Sequence, residues 1–207
     1  ERIYERGISV LPGSAELLGN YAIFLNDERK DVDKAEAFFK RAIEAYPKAA
    51  DFLGNYAIFL NKERKDMDKA EEFFKRAIEA DPKNAKCLAS YTIFLKNARK
   101  DMGRAEEFYR RAIEADPKNA NSLASYAIFL QTERKDMDRA EEFYKRAIEA
   151  DPKNANSLAG YAIFLQTKRK DEAKAEEFYK RAVEADPKNT NSLASYATFL
   201  QSVRKDM

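Results

Sequence analysis

The pattern Tyr-x-x-Phe-Leu begins at Tyr21, Tyr56, Tyr91, Tyr126, Tyr161 and Tyr196, so the chain repeats itself every 35 residues without a slip. Segments 119–153 and 154–188 differ at six positions only: Ser125/Gly160, Glu133/Lys168, Met137/Glu172, Asp138/Ala173, Arg139/Lys174 and Ile148/Val183. A unit this short has no closed core of its own. It must bury its apolar face against the next copy, which predicts a stacked solenoid in place of one or two compact domains. The array is expected to occupy residues 1–207 as one domain, with about five full units and an incomplete unit at each end.

Composition selects helices for those units. Charged residues make up 36% of the chain, well above the roughly 25% of ordinary domains, while Gly and Pro number only 6 each. The 14 Phe and 11 Tyr supply too much burial for a disordered chain. Within one unit, Leu123, Tyr126, Ala127 and Leu130 fall at helical spacing behind Asn119, a capping residue. Ala140, Phe143, Tyr144, Ala147 and Ile148 form a second stripe, opened by Asp136 and closed before Asp151-Pro152. Glu141 with Lys145 and Glu142 with Arg146 are acid-first i,i+4 pairs on a solvated outer face. The fold class expected is all-α.

Several function classes recede on the same grounds. No apolar run approaches the ~18 residues that cross a bilayer, so no membrane partner is expected. The lone Cys87 cannot form an internal disulfide, and the N-terminal residues do not read as a secretion signal, so the expected location is intracellular, in the cytoplasm. The chain has no histidine, the commonest general base and metal ligand, which argues against an enzyme, a metal site or a cofactor.

Leu123, Tyr126, Ala127, Leu130, Ala140, Tyr144, Ala147 and Pro152 stand where the tetratricopeptide repeat has its large, large, small, large, small, aromatic, small and proline positions. The chain resembles that family over essentially its whole length. The resemblance implies a right-handed superhelical solenoid of antiparallel helix pairs, first helices lining a concave face and second helices a convex one. It implies a scaffold that binds other proteins or peptides. The unit is one residue longer than the family's, and the extra residue is expected in the turn Glu133 to Asp136. The opening Arg2-Ile-Tyr-Glu-Arg is similar to the half-tetratricopeptide repeats of RNA-processing assemblies, although Glu142 stands where those carry an arginine. A 35-residue hairpin also resembles the pentatricopeptide repeat, yet its base-reading pair would include Ala120 or Ala50, which cannot discriminate base edges. An RNA-associated repeat is therefore the alternative reading, and a structural spacer or self-assembling module a third. Residue 1 aligns within a second helix and Met207 aligns with Met137, so the chain is expected to be a fragment of a longer array and to associate head-to-tail with its own copies.

Three recurrent features compete as sites. The tyrosines and the series Phe24, Phe59, Phe94, Phe129, Phe164 and Phe199 read as core and unit-to-unit packing. The Arg-Lys-Asp triplets, from Arg29-Lys30-Asp31 to Arg204-Lys205-Asp206, read as a helix stop followed by a cap, with a cationic column for a polyanion as the competing reading. The first helix keeps one further face, neither core nor charged. Its first position runs Glu16, Asp51, Lys86, Asn121, Asn156, Asn191 and a neighbouring one Asn20, Asn55, Ser90, Ser125, Gly160, Ser195. Beyond these lie Ile23, Ile58, Ile93, Ile128 and Ile163, then Gln131, Gln166 and Gln201. Isoleucines offer shallow apolar contacts and carboxamides pair with both donor and acceptor of a peptide group, so this face is the expected groove for an extended polypeptide.

Overall fold

The computed structural model describes residues 1–205, with side chains described to Val203. Among the described residues every regular element is helical. The chain divides into two units, Glu1–Arg111 and Ala112–Met207. The first holds α1 (Arg2–Val10), α2 (Ala15–Phe24), α3 (Val32–Ala45), α4 (Ala50–Phe59), α5 (Met67–Ala80) and α6 (Ala85–Phe94), and α7 (Met102–Ala115) leads into the second. The second continues with α8 (Ala120–Phe129), α9 (Met137–Ala150), α10 (Ala155–Phe164), α11 (Glu172–Ala185) and α12 (Thr190–Lys205). Within each unit, consecutive helices pack as hairpins, α2 on α3, α4 on α5, α8 on α9 and α10 on α11.

The caps fall where the sequence places them. Asn119 Oδ1 accepts from the Ser122 N–H at 3.0 Å and Asp136 Oδ1 from the Arg139 N–H at 3.1 Å. Asn84, Asn154 and Asn189 repeat the first arrangement, whereas Ala49 opens α4 with no side-chain cap.

In the first five copies a widened helix end overlaps the turn, Glu133 to Asp136, where sequence places the extra residue. Each first helix of the first five copies ends in a five-residue π-helical turn, Leu25–Arg29, Leu60–Arg64, Leu95–Arg99, Leu130–Arg134 and Leu165–Arg169. Bonds from i to i+5 take up one more residue per turn than an α-helix does, so the insertion widens the helix end and lengthens no loop. A lysine in left-handed conformation follows each time, at φ 56 to 58° for Lys30, Lys65, Lys100, Lys135 and Lys170. The next aspartate then closes the helix, as Asp136 N–H does on the Leu130 carbonyl at 3.0 Å.

Small residues bring the hairpin partners close. Ala147 is fully buried against Leu123 and Ala124, and Ala42, Ala77 and Ala182 are buried as completely. Aromatic rings join one hairpin to the next. Phe39 of α3 lies 5.7 Å from Tyr56 and 5.3 Å from Phe59 of α4, and Tyr56 meets Phe73 of α5 edge-on at 4.8 Å. The tyrosines and the phenylalanine series are therefore packing residues, as expected.

Candidate functional site

Of the acidic residues taken as solvated, Glu141 and its equivalents fasten one hairpin to the next, whereas Glu142 stays on the solvated face with Arg146. Glu36 on α3 accepts from the Tyr56 hydroxyl at 3.2 Å and from Arg64 Nε at 2.6 Å, while Arg64 Nη2 reaches Asp33 at 2.6 Å. Arg99 does the same to Glu71 and Asp68, and Arg169 to Glu141 and Asp138. The expected pairs Glu141–Lys145, at 2.7 Å, and Glu142–Arg146, at 4.0 Å, are present, but the Glu141 side chain is only 20% exposed. Burial would raise the Glu71 carboxyl, but hydrogen bonds and charge from Arg104 and Lys75 outweigh it and hold the group at about 2. Burial and the Glu71 charge push the Tyr91 hydroxyl up to about 12, so it stays a donor. Arg64, Arg99 and Arg169 of the triplets are thus engaged with neighbouring helices, and the aspartates are caps. The last triplet, Arg204-Lys205-Asp206, lies outside the described side chains.

Cys87 occupies the place of Ser157 and Ser192 and makes their contact. Its Sγ lies 3.4 Å from the Ala50 carbonyl, as Ser157 Oγ lies 3.5 Å from that of Ala120. Burial pushes the thiol up to about 11, which keeps it protonated and unreactive.

The first-helix face remains open. Glu16, Asn20, Asp51, Lys86, Asn121, Ser125, Asn156, Asn191 and Gln201 are exposed, and Ile23, Asn55, Ile58, Ser90, Gln131, Gln166 and Ser195 half-buried. Ile93, Ile128 and Ile163 are 55%, 41% and 38% exposed, high values for large aliphatic side chains in ordered helices. In the Glu1–Arg111 unit this face is hollowed twice. One hollow, of about 740 Å³, is bordered by Glu16, Asn20, Ile23, Asp51, Asn55 and Lys86. The other, of about 470 Å³, takes in Ile23, Asn55, Ile58 and Lys86 together with Asn26 and Phe39. Ile23, Asn55 and Lys86 border both, so the two adjoin.

In the Ala112–Met207 unit several carboxamides are engaged within the chain, as Asp51 is in the other unit, where it accepts from Asn84 Nδ2 at 3.2 Å. Asn154 Nδ2 donates to Asn121 Oδ1 at 3.2 Å and Asn189 Nδ2 to Asn156 Oδ1 at 3.1 Å. Gln131 and Gln166 accept from the buried hydroxyls of Tyr144, at 3.1 Å, and Tyr179, at 2.9 Å. The sequence reading did not foresee these brackets. The signal lay in the repeat itself: the pair Tyr with Gln at 144 and 131 and at 179 and 166 is replaced by Phe with Asn at 39 and 26 and at 74 and 61.

Comparison with known proteins gives a consistent result. The family described as PRP39 N-terminal HAT repeat matches residues 23–160, well over half of the 207, and the tetratricopeptide repeat matches residues 131–198. The sequence matches none of the curated proteins with which it was compared. Among solved structures, yeast Tom70 is similar over 98% of this chain and 42% of its own, at 16% identity and a TM-score of 0.83. PilF of Pseudomonas aeruginosa is similar over 93% of this chain and 91% of its own, at 17% identity and a TM-score of 0.72. YrrB, described as a TPR protein with an unusual peptide-binding site, is similar over 93% and 96%, at 19% identity and a TM-score of 0.58. Identities this low speak for the fold, an all-α solenoid of antiparallel helix pairs. With two thirds of its residues matched and every hairpin built on the same stripe of large and small residues, the chain belongs to the PRP39 N-terminal HAT repeat family of tetratricopeptide-like helical repeats.

Proposed function

We propose that this protein is an interaction scaffold that binds an extended segment of another protein along the first-helix face of the Glu1–Arg111 unit. The observation that carries the reading is the pair of adjoining hollows there. They are bordered by Glu16, Asn20, Ile23, Asp51, Asn55, Ile58 and Lys86, the residues whose spacing and chemistry suit a peptide groove. Polar groups that can meet a backbone alternate with aliphatic contacts, the combination an extended chain needs. YrrB, of similar fold, is described as having a peptide-binding site, which supports the same class of partner. The RNA reading is weakened because Arg64 and Arg99 are tied to carboxylates and leave fewer cations for phosphates.

The test is selection of randomly displayed dodecapeptides on the immobilised chain, followed by affinity measurement on Ile58→Glu with Asp51→Lys and, as control, on Glu72→Ala of the second-helix face. Binding at least tenfold weaker to the first variant, with the control unchanged and helix content constant, is the expected outcome. Equal binding to both variants, or binding of single-stranded polyuridine tighter than that of any selected peptide, would overturn the assignment.

A further inference from the structure

Glu16, Asp51 and Lys86 hold the same position in three consecutive first helices, α2, α4 and α6, and all three border the hollow of about 740 Å³. Later copies carry asparagine there. The charges thus run negative, negative, positive across the hollow, and among the described residues none of the three forms an ion pair. Helix stability accounts for the two acids, which sit in the first turns of α2 and α4. It does not account for Lys86, a cation in the first turn of α6, where the helix dipole disfavours it. The helices that carry these charges touch closely. A Cβ on Gly54 of α4 would stand 3.0 Å from Cys87 Sγ of α6, and that sulfur lies 3.4 Å from the Ala50 carbonyl. Helices in such contact lie about 8 to 10 Å apart, axis to axis. Asn20 and Asn55 border the same hollow, as does Tyr46, a ring 58% exposed where later copies have aspartate.

We infer that this hollow binds a segment in the polyproline II conformation that presents two basic residues and one acidic residue, in that order, at every third position. The inference rests on the peptide-binding reading and names the class of segment the groove selects. A polyproline II chain has three residues per turn and rises about 3.1 Å per residue, so residues i, i+3 and i+6 share one side about 9 Å apart. That matches the spacing of the first helices, and each such residue meets one charge: a cation at Glu16, a cation at Asp51 and an anion at Lys86. In a β-strand, residues i and i+3 point to opposite faces and cannot address the helices in turn. A polyproline II backbone has no internal hydrogen bonds, which leaves its carbonyls free for the side-chain amides of Asn20 and Asn55. The open ring of Tyr46 supplies the aromatic surface on which such segments pack. The order of charges fixes the register along the groove, because a like charge at any of the three places is repelled.

The experiment titrates the intact chain into fluorescently labelled Pro-Arg-Pro-Pro-Arg-Pro-Pro-Glu-Pro and its reversed sequence, which cover both chain directions. The control, Pro-Arg-Pro-Pro-Glu-Pro-Pro-Arg-Pro, has the same composition and net charge. One of the two directions is expected to bind about fivefold more tightly than the control. Glycine in place of every proline keeps the charges and removes the conformation, and is expected to weaken binding by about the same factor. In Lys86→Glu the preference should pass to the peptide with arginine at all three places. That variant copies Glu16 at the equivalent position, and circular dichroism checks that its helices form. Equal binding of the charge orders, undiminished binding of the glycine peptide, an unchanged preference in Lys86→Glu, or no saturable binding of any of these peptides would overturn the inference. In each of those cases, selected dodecapeptides that lose affinity for Ile58→Glu with Asp51→Lys leave the groove standing. If no selected peptide depends on those two residues, the groove reading falls and this inference with it.

Discussion

Arg99 Nε donates to Glu71 Oε2 at 2.8 Å, and 28 residues of sequence separate the two. The same carboxylate receives Arg104 at 2.7 Å, Lys75 at 3.2 Å and the Tyr91 hydroxyl at 3.3 Å, so one side chain on α5 gathers groups from α5, α6, the π-turn after it and α7. With so many donors the group stays ionised although its side chain is only 11% exposed.

The pH dependence of stability follows from that ionisation. Glu71 titrates at about 2 in the folded chain against its ordinary 4.5. A depressed folded value means that the contribution is fully present above pH 4.5 and disappears as pH falls from there through 2. Glu71→Gln is expected to cost about 2 kcal/mol at pH 7, since removing one partner leaves Arg99 and Arg104 with an unmatched charge. Melting temperatures of the two proteins should converge between pH 4.5 and pH 2. A gap that stays constant across that window would show that the carboxylate's charge is not what stabilises the contact.

Gly19 is a helical glycine held by its neighbour. A Cβ added there would run into the ring of Phe52. Alanine in a helix normally gains roughly 1 kcal/mol over glycine, but here Gly19→Ala should lose about 1 to 3 kcal/mol through overpacking. Phe52→Ser in the same chain should restore the loss, because it rebuilds the Ala-with-Ser pairing of positions 124 and 157. A double-mutant cycle in denaturant with no coupling between the two sites would refute the size matching.

Ala49 is the N-cap of α4 and offers no side-chain acceptor, in the position where Asn84, Asn154 and Asn189 bond the third residue on. Ala49→Asn is expected to stabilise the chain by about 1 kcal/mol. Chemical denaturation should show a higher midpoint at unchanged slope, and no gain at all would contradict the capping argument.

Ala147 touches Leu123 and Ala124 with no exposed surface. Ala147→Leu forces α9 away from α8 and should cost about 1 to 3 kcal/mol. An unaltered melt would mean that the helices do not meet at this residue.

Much of this was legible in the sequence because helices are local and the repeat is strict. The stripe from Leu123 to Leu130, the caps Asn119 and Asp136 and the core role of Tyr126 need only spacings within one unit. Glu141 was misjudged because its lysine partner lies four residues on, within view of a helix argument, whereas Arg169 lies 28 residues on, in the next copy. Nothing local marks Leu130–Arg134 as a π-turn, since the widening is set by how the next helix must begin. The open face was readable as residues but not as hollows. The smaller of the two is lined by Phe39 and Asn26, whose departure from the tyrosine–glutamine pairing becomes meaningful once the equivalent side chains are seen to touch in other copies.

Each of the five Lys-Asp corners from Lys30-Asp31 to Lys170-Asp171 is fixed at both ends by one residue. The Asp66 N–H ends one helix on the Leu60 carbonyl at 3.1 Å, and its carboxylate opens the next by accepting from the Lys69 N–H at 3.0 Å. Such a corner has no room for added chain, because any insertion separates the stop from the start. The other turn is looser in its demands, and the chain itself carries Tyr46-Pro47-Lys48-Ala49 where later copies have Asp-Pro-Lys-Asn. New chain ends made by circular permutation, or a grafted loop, therefore belong at the proline turns, and a library of random insertions would be expected to survive there and to be depleted at the lysine–aspartate corners.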